Sequence, residues 1–199
     1  MGNKFNCMAL AAVLAAALML GGLGCGEMGK VDQGRVIEFD SAKSTVTLIQ
    51  DVKADVGNPD YSGAPHVYSL PTEPSERGAD PKPGKRMKLD TKAREIVIFD
   101  TASKGFKKIK YTLIDEKDGV AKDNPLVAGK KFPAVDKAKK TVTIYSGRQK
   151  ILVTFSLPDE YFTLPDDTWE AGDEVRIYYK QPGKALRFMN ITRTDIFKK

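Results

Sequence analysis

The sequence predicts a mainly β fold: two tandem small β units behind a cleaved export signal. Three observations carry this. An unbroken apolar run of 13 residues, 8–20, sits at the front and ends in small residues. One hairpin pattern recurs three times after residue 30, and no sustained helical periodicity occurs there. The composition is that of an ordinary globular chain: 199 residues, 41% hydrophobic, 29% charged, net charge +6, two Cys and one His. It excludes a disordered chain, a polytopic membrane protein, a disulfide framework and most multi-ligand soft-metal sites.

Residues 1–6 are polar with one cation, Lys4, and the Ala- and Leu-rich run follows. Gly21, Gly22, Leu23 and Gly24 then lead to Cys25. A charged start, a short apolar core and a small-residue exit make a bacterial secretory signal. A retained anchor helix is the alternative, but about 20 apolar residues are needed to span a bilayer. The segment Leu20-Gly21-Gly22-Leu23-Gly24-Cys25 resembles the lipobox of bacterial lipoproteins. That resemblance implies cleavage before Cys25 and acylation of its thiol. Cysteine arithmetic points the same way: Cys7 lies in the signal and none follows Cys25, so an exported chain has one thiol left to use. Two or more acyl chains would give stable anchoring. The expected organisation is a signal over 1–24 and a polar tether over 25–33. Residues 34–120 form the first unit, with a Pro-rich insertion at 52–83, and residues 125–199 the second. Gly26 stands where the inner-membrane retention signal of enterobacteria has Asp, which favours the outer membrane.

The repeat explains the units. Phe39-Asp40 leads to Val46-Thr47-Leu48, Leu89-Asp90 to Ile96-Val97-Ile98, and Val135-Asp136 to Val142-Thr143-Ile144. In each, Asp leaves a strand, four polar or small residues turn, and a β-branched strand returns. Tyr68-Ser69-Leu70-Pro71 is echoed by Phe155-Ser156-Leu157-Pro158, and Gly84-Lys85-Arg86-Met87 by Gly172-Asp173-Glu174-Val175. The later strands are predicted at 132–135, 141–145, 150–157, 174–180 and 184–191, with a crossing segment after residue 157 and a Gln181-Pro182-Gly183 turn. One more strand is expected over 109–114. Five short strands with a long connection after the third suit a small barrel. The Gly34 hairpin and the Gly172–Ile177 stretch resemble oligonucleotide/oligosaccharide-binding (OB) type barrels of exported bacterial proteins. A β-sandwich from the same strands is the rival.

The sequence offers no catalytic constellation. It lacks a Gly-x-Ser-x-Gly elbow, a P-loop and a dinucleotide fingerprint. His66 is the single imidazole, either a ligand or base near neutral pH or a partly exposed loop residue. Calcium loops need acidic residues at alternate positions, and the acidic runs lack that spacing. No metal site and no cofactor are expected. Lysines and arginines gather at 82–94, 104–110 and 130–140; Lys108 and Lys110 share a strand face. They could attract anionic lipid heads or an acidic partner, or shield an edge strand from pairing. Export argues against nucleic acid.

Taken whole, with Cys25, the Gly34 hairpin and the Gly172 end as bearing features, the chain resembles an uncharacterised lipoprotein family of sulfate-reducing and related proteobacteria. The expectation is a non-enzymatic, lipid-anchored envelope protein that faces the periplasm. Membrane lipid on Cys25 and another envelope protein are the expected partners, with His66, Tyr68, Lys108 and Lys110 as candidate contacts. The alternative is a periplasmic small-ligand or metal-binding module centred on His66.

Overall fold

The computed structural model describes residues 28–53, 55 and 58–194. The expected signal and Cys25 lie outside the described residues. The described chain is mainly β, as the alternating patterns require. Its strands are β1 (Lys30–Asp40), β2 (Thr45–Gln50), β3 (Pro65–Ser69), β4 (Arg86–Asp90), β5 (Glu95–Asp100), β6 (Gly105–Lys110), β7 (Thr112–Lys117), β8 (Ala134–Asp136), β9 (Thr141–Ser146), β10 (Ile151–Ser156), β11 (Glu174–Tyr179) and β12 (Ala185–Asn190). They form three antiparallel sheets: β12-β11-β1-β2-β3, β4-β5-β6 and β7-β10-β9-β8.

One turn builds five hairpins. The loops between β1 and β2, β4 and β5, β5 and β6, β8 and β9, and β9 and β10 each have four residues. Each ends in a left-handed residue: Ser44, Arg94, Lys104, Lys140 and Lys150 have φ of 50°, 54°, 53°, 54° and 53°. A side chain at the strand exit holds each turn. Asp40, Asp90 and Asp136 accept the N–H three residues on, at 3.0, 2.8 and 2.9 Å. Asp100 accepts the N–H of Ala102, and the Ser146 hydroxyl accepts that of Gln149. Short polar side chains fold back on the backbone this way and make the reversal local. Three of the five turns follow the Asp motif seen in the sequence; the other two share its geometry.

Sheet membership does not follow the boundary expected near residue 120. The hairpin β11–β12, from the second expected unit, lies beside β1 of the first. Strands β4 to β10 are intercalated between β3 and β11. No closed barrel forms among the described residues. The five-stranded sheet brings its edges together at one point, where Ser69 and Lys184 form an isolated bridge. Past it the Pro-rich segment covers the β12 edge: Arg77 bridges Phe188, and Glu76 pairs with Arg187. Covering an edge with irregular chain removes a site for pairing with another molecule. The Pro-rich insertion expected over 52–83 thus covers a sheet edge.

The single strand expected over 109–114 is two. Tyr111 breaks it, donating its N–H to Arg94 and stacking on Phe155 with ring centroids 4.5 Å apart. The chain then passes from the β4-β5-β6 sheet to the β10 sheet, a switch typical of strands at a sheet corner. These two sheets share a core around Ile96, Ile109, Ile144, Phe155 and Trp169. Trp169 comes from the crossing segment, which holds two short 3₁₀ turns, Asp159–Thr163 and Asp166–Trp169, entered from Pro158 and Pro165. The five-stranded sheet has its own core of Val36, Leu48, Tyr68, Ile177 and Phe188. A bulge at Ile37 and the other face of β2 send Ile37 and Ile49 into a third cluster with Met87 and Phe99. That cluster joins the sheets.

The tether expected over 25–33 ends sooner than its polarity suggests. Residues 30–33 belong to β1, and Asp32 is buried. A buried carboxylate reads as a solvated linker unless its donors, 18 to 36 positions away, are known.

Candidate functional site

Two charged places inside the fold differ in how their charges are met. The first lies at the open end of the five-stranded sheet. Asp32 on β1 faces inward on the Val36 side of the strand. Its Oδ2 accepts from His66 Nδ1 at 2.6 Å and from the Tyr68 hydroxyl, and its Oδ1 accepts from Gln50 Nε2 at 3.3 Å. His66 and Tyr68 alternate on β3, and Gln50 ends β2, so three neighbouring strands converge on one carboxylate. Tyr68 is buried and packs on Tyr179 with ring centroids 5.2 Å apart. Burial, and then the hydrogen bond to Asp32, push its phenol well above the usual range. It stays a neutral donor. The His66 side chain keeps 35% of its surface open.

His66 and Tyr68 are therefore brought together, around an aspartate that motif reasoning passed over. Lys108 and Lys110 are elsewhere, on β6 at the edge of the three-stranded sheet. Both are exposed, and Lys110 pairs with Glu95 across the hairpin at 3.3 Å. Cations on an edge strand oppose pairing with a second sheet. Among the described residues no three His, Cys, Asp or Glu side chains converge as metal ligands.

The second place is a cavity of about 360 Å³ where the sheets meet. Arg35 of β1, Tyr61, Arg86 of β4, Arg148 in the β9–β10 turn and Glu174 of β11 line it. Backbones must approach closely to form this junction. The Val36 carbonyl accepts from Gly84 N–H at 3.1 Å, and Val36 N–H donates to Asp173. A Cβ on Gly172 would stand 1.8 Å from that same carbonyl oxygen, and one on Gly84 would stand 2.5 Å from the Gly172 nitrogen. The two glycines that open the echoed segments thus pack on each other.

The arginines are held unequally. Arg148 donates to Glu174 at 2.5 Å, and Glu174 also accepts from Gln33. Arg35 lays its guanidinium over the Tyr61 ring, 4.1 Å from the centroid, and donates through one terminal nitrogen to the carbonyls of Arg86 and Met87, each at 3.0 Å. Its Nε is sealed from water and bonds to nothing among the described residues. Arg86 is buried and donates through Nε to the Trp169 carbonyl at 2.9 Å. Burial holds both guanidiniums below their usual range; Arg35 further lowers Arg86, and Arg148 further lowers Arg35. Burial also raises the Tyr61 phenol. Of these residues, Arg86 and Glu174 stand out in the sequence only as members of the echoed segments and, for Arg86, of a basic run. Arg35 lies within the alternation of β1 and Arg148 in a polar turn, and only pairing between distant strands unites them.

No curated protein and no solved structure matches the chain. A family model described as a domain of unknown function, DUF4881, matches residues 27–199. The chain therefore belongs to the DUF4881 family.

Proposed function

We propose that this protein is a lipid-anchored component of a bacterial cell envelope, acting as a binding module rather than an enzyme. The observation that carries the reading is the Leu20–Cys25 lipobox-like stretch, placed five residues before the first strand at Lys30. A fold that begins so close to an acylated cysteine sits at the membrane surface. The cations along β6 then add electrostatic attraction to anionic lipid heads or to an acidic partner, at about 1 kcal/mol per cation near a charged surface.

The Asp32 cluster is tied up within its own sheet. Its carboxylate spends both oxygens on donors from its own sheet, and its phenol is held neutral, so it lacks an activated nucleophile. Cys25 would be blocked by its acyl chains.

Intact mass spectrometry of the native protein tests the reading. The chain should begin at Cys25 and carry diacylglycerol, and Cys25→Ser should abolish both the added mass and membrane recovery. A native chain that retains residues 1–24, or a bare Cys25 thiol, contradicts it.

A further inference from the structure

The cavity wall carries more positive charge than the protein itself neutralises. Its charged residues are Arg35, Arg86, Lys88, Arg148, Asp173 and Glu174. Four of them have partners of opposite sign: Arg148 with Glu174, Asp173 with Arg193 at 2.8 Å, and Lys88 with Asp90 at 2.9 Å. Glu170, the carboxylate nearest Arg86 in effect, pairs with Lys82. Arg35 and Arg86 remain. Among the described residues neither touches a carboxylate: Arg86 donates to the Trp169 carbonyl, and Arg35 donates to two carbonyls and lies against Tyr61, with Glu174, already bonded to Arg148, acting on it only through space. The terminal nitrogens of Arg86 make no hydrogen bond to a described residue. The Arg35 Nε is sealed from solvent with an unused donor, so any contact to an anion in the cavity would come from other atoms of the guanidinium.

Buried charges are ordinarily paired, because withdrawing an ion from water without a counter-charge is costly. Two adjacent guanidiniums without a carboxylate depart from that rule. Their planar forks suit oxyanions, which accept two parallel N–H bonds. Surface clusters of cations stay hydrated and carry no such implication; these two line a cavity with Tyr61 as part of its wall.

We propose that the cavity is a receptor for a small dianionic oxyanion, a phosphate or sulfate group held by Arg35 and Arg86. Two negative charges match the two guanidiniums that no carboxylate of the described residues contacts. Arg148 stays with Glu174 and shapes the rim. The volume, about 360 Å³, lies within the range of small-molecule pockets and exceeds what an inorganic ion fills, so the group belongs to a small organic phosphate monoester, which keeps both charges where a sulfate ester keeps one. This inference is independent of whether Cys25 is acylated.

Isothermal titration of the full chain in detergent tests it, at constant ionic strength. The probes are inorganic phosphate, sulfate, glycerol 3-phosphate and, as a monoanion, acetate. Phosphate or sulfate should bind at one site per chain, and acetate at least ~10-fold more weakly, since each charge-assisted bond lost costs that much. Arg35→Met should weaken phosphate binding by a similar factor, with Arg86→Met as the second variant should the first not fold. Tighter binding of glycerol 3-phosphate than of phosphate identifies an ester ligand, and equal binding identifies the free ion. Absence of phosphate and sulfate binding to the native chain overturns the proposal. So does acetate binding equal to phosphate, or binding unchanged in a folded Arg35→Met or Arg86→Met chain.

Discussion

The Asp32 cluster and the arginine cavity both withdraw charge from water, and they meet the cost in opposite ways. Around Asp32, every oxygen of the carboxylate has a donor from the same sheet: His66, Tyr68 and Gln50. Around Arg35 and Arg86 the acceptors are neutral carbonyls, and one buried donor has no acceptor among the described residues. A satisfied charge ties strands together. An unsatisfied pair stores an unfavourable interaction that a counter-ion relieves. The lesson is that the conspicuous lone histidine is tied to its own sheet through Asp32, whereas the two guanidiniums without a carboxylate contact lie among residues with no motif.

The largest effects should come from breaking the satisfied side. Asp32→Ala leaves three donors from three strands without their acceptor. Allowing for the partial exposure of His66, the loss should be about 3 kcal/mol, read as a lower denaturant midpoint. A loss under about 0.5 kcal/mol, the scale of ordinary surface changes, would show that the cluster is not a knot. Gly172→Ala tests the junction that shapes the cavity. Its Cβ would meet a backbone oxygen, which cannot rotate away, so about 2 kcal/mol of overpacking cost is expected. A variant with native stability would mean that the sheets can separate at little cost.

A smaller effect distinguishes the turns from both buried places. Asp40, Asp90 and Asp136 have pKa values lowered chiefly by backbone N–H bonds, and Asp100 chiefly by the Ser103 hydroxyl. A lowered carboxyl binds its proton less tightly in the folded chain than in the unfolded one. Stability from these turns is therefore present above the ordinary value of 3.8 and lost as pH falls through the lower folded values. Replacing all four by Asn should flatten that acid limb by removing stability that the native chain has near pH 7, so the two curves lie apart there and converge below the folded values. An acid limb of unchanged slope would assign the loss to other groups.

How much the sequence disclosed follows from the range of each interaction. The hairpins were legible because Asp, turn and returning strand lie within about ten residues, and β9 to β12 fall where alternation placed them. The echo of Gly84 in Gly172 was legible as a pattern; that the two glycines touch was not, since contact depends on how the sheets cross. The placement of β11 beside β1 was hidden for the same reason. Alternation along a strand says which face is buried and nothing about which strand lies next to it. His66 and Tyr68 were visible as residues that could carry chemistry. Asp32 and Arg35 were not, because a polar residue near the chain's front or inside a strand acquires meaning only from distant partners.

The contrast reduces to one comparison of melting temperatures, for the native chain and Arg35→Met, each with and without millimolar phosphate. Removing the part-buried Arg35 beside the buried Arg86 relieves repulsion and desolvation, and apolar replacement of withdrawn charge is often neutral or stabilising. Without anion, Arg35→Met should melt at or above the native temperature, and phosphate should raise the native chain alone. If Arg35→Met melts well below the native chain in the absence of anion, and phosphate moves both equally, then Arg35 is a structural residue met by its own protein and the cavity has no unspent charge.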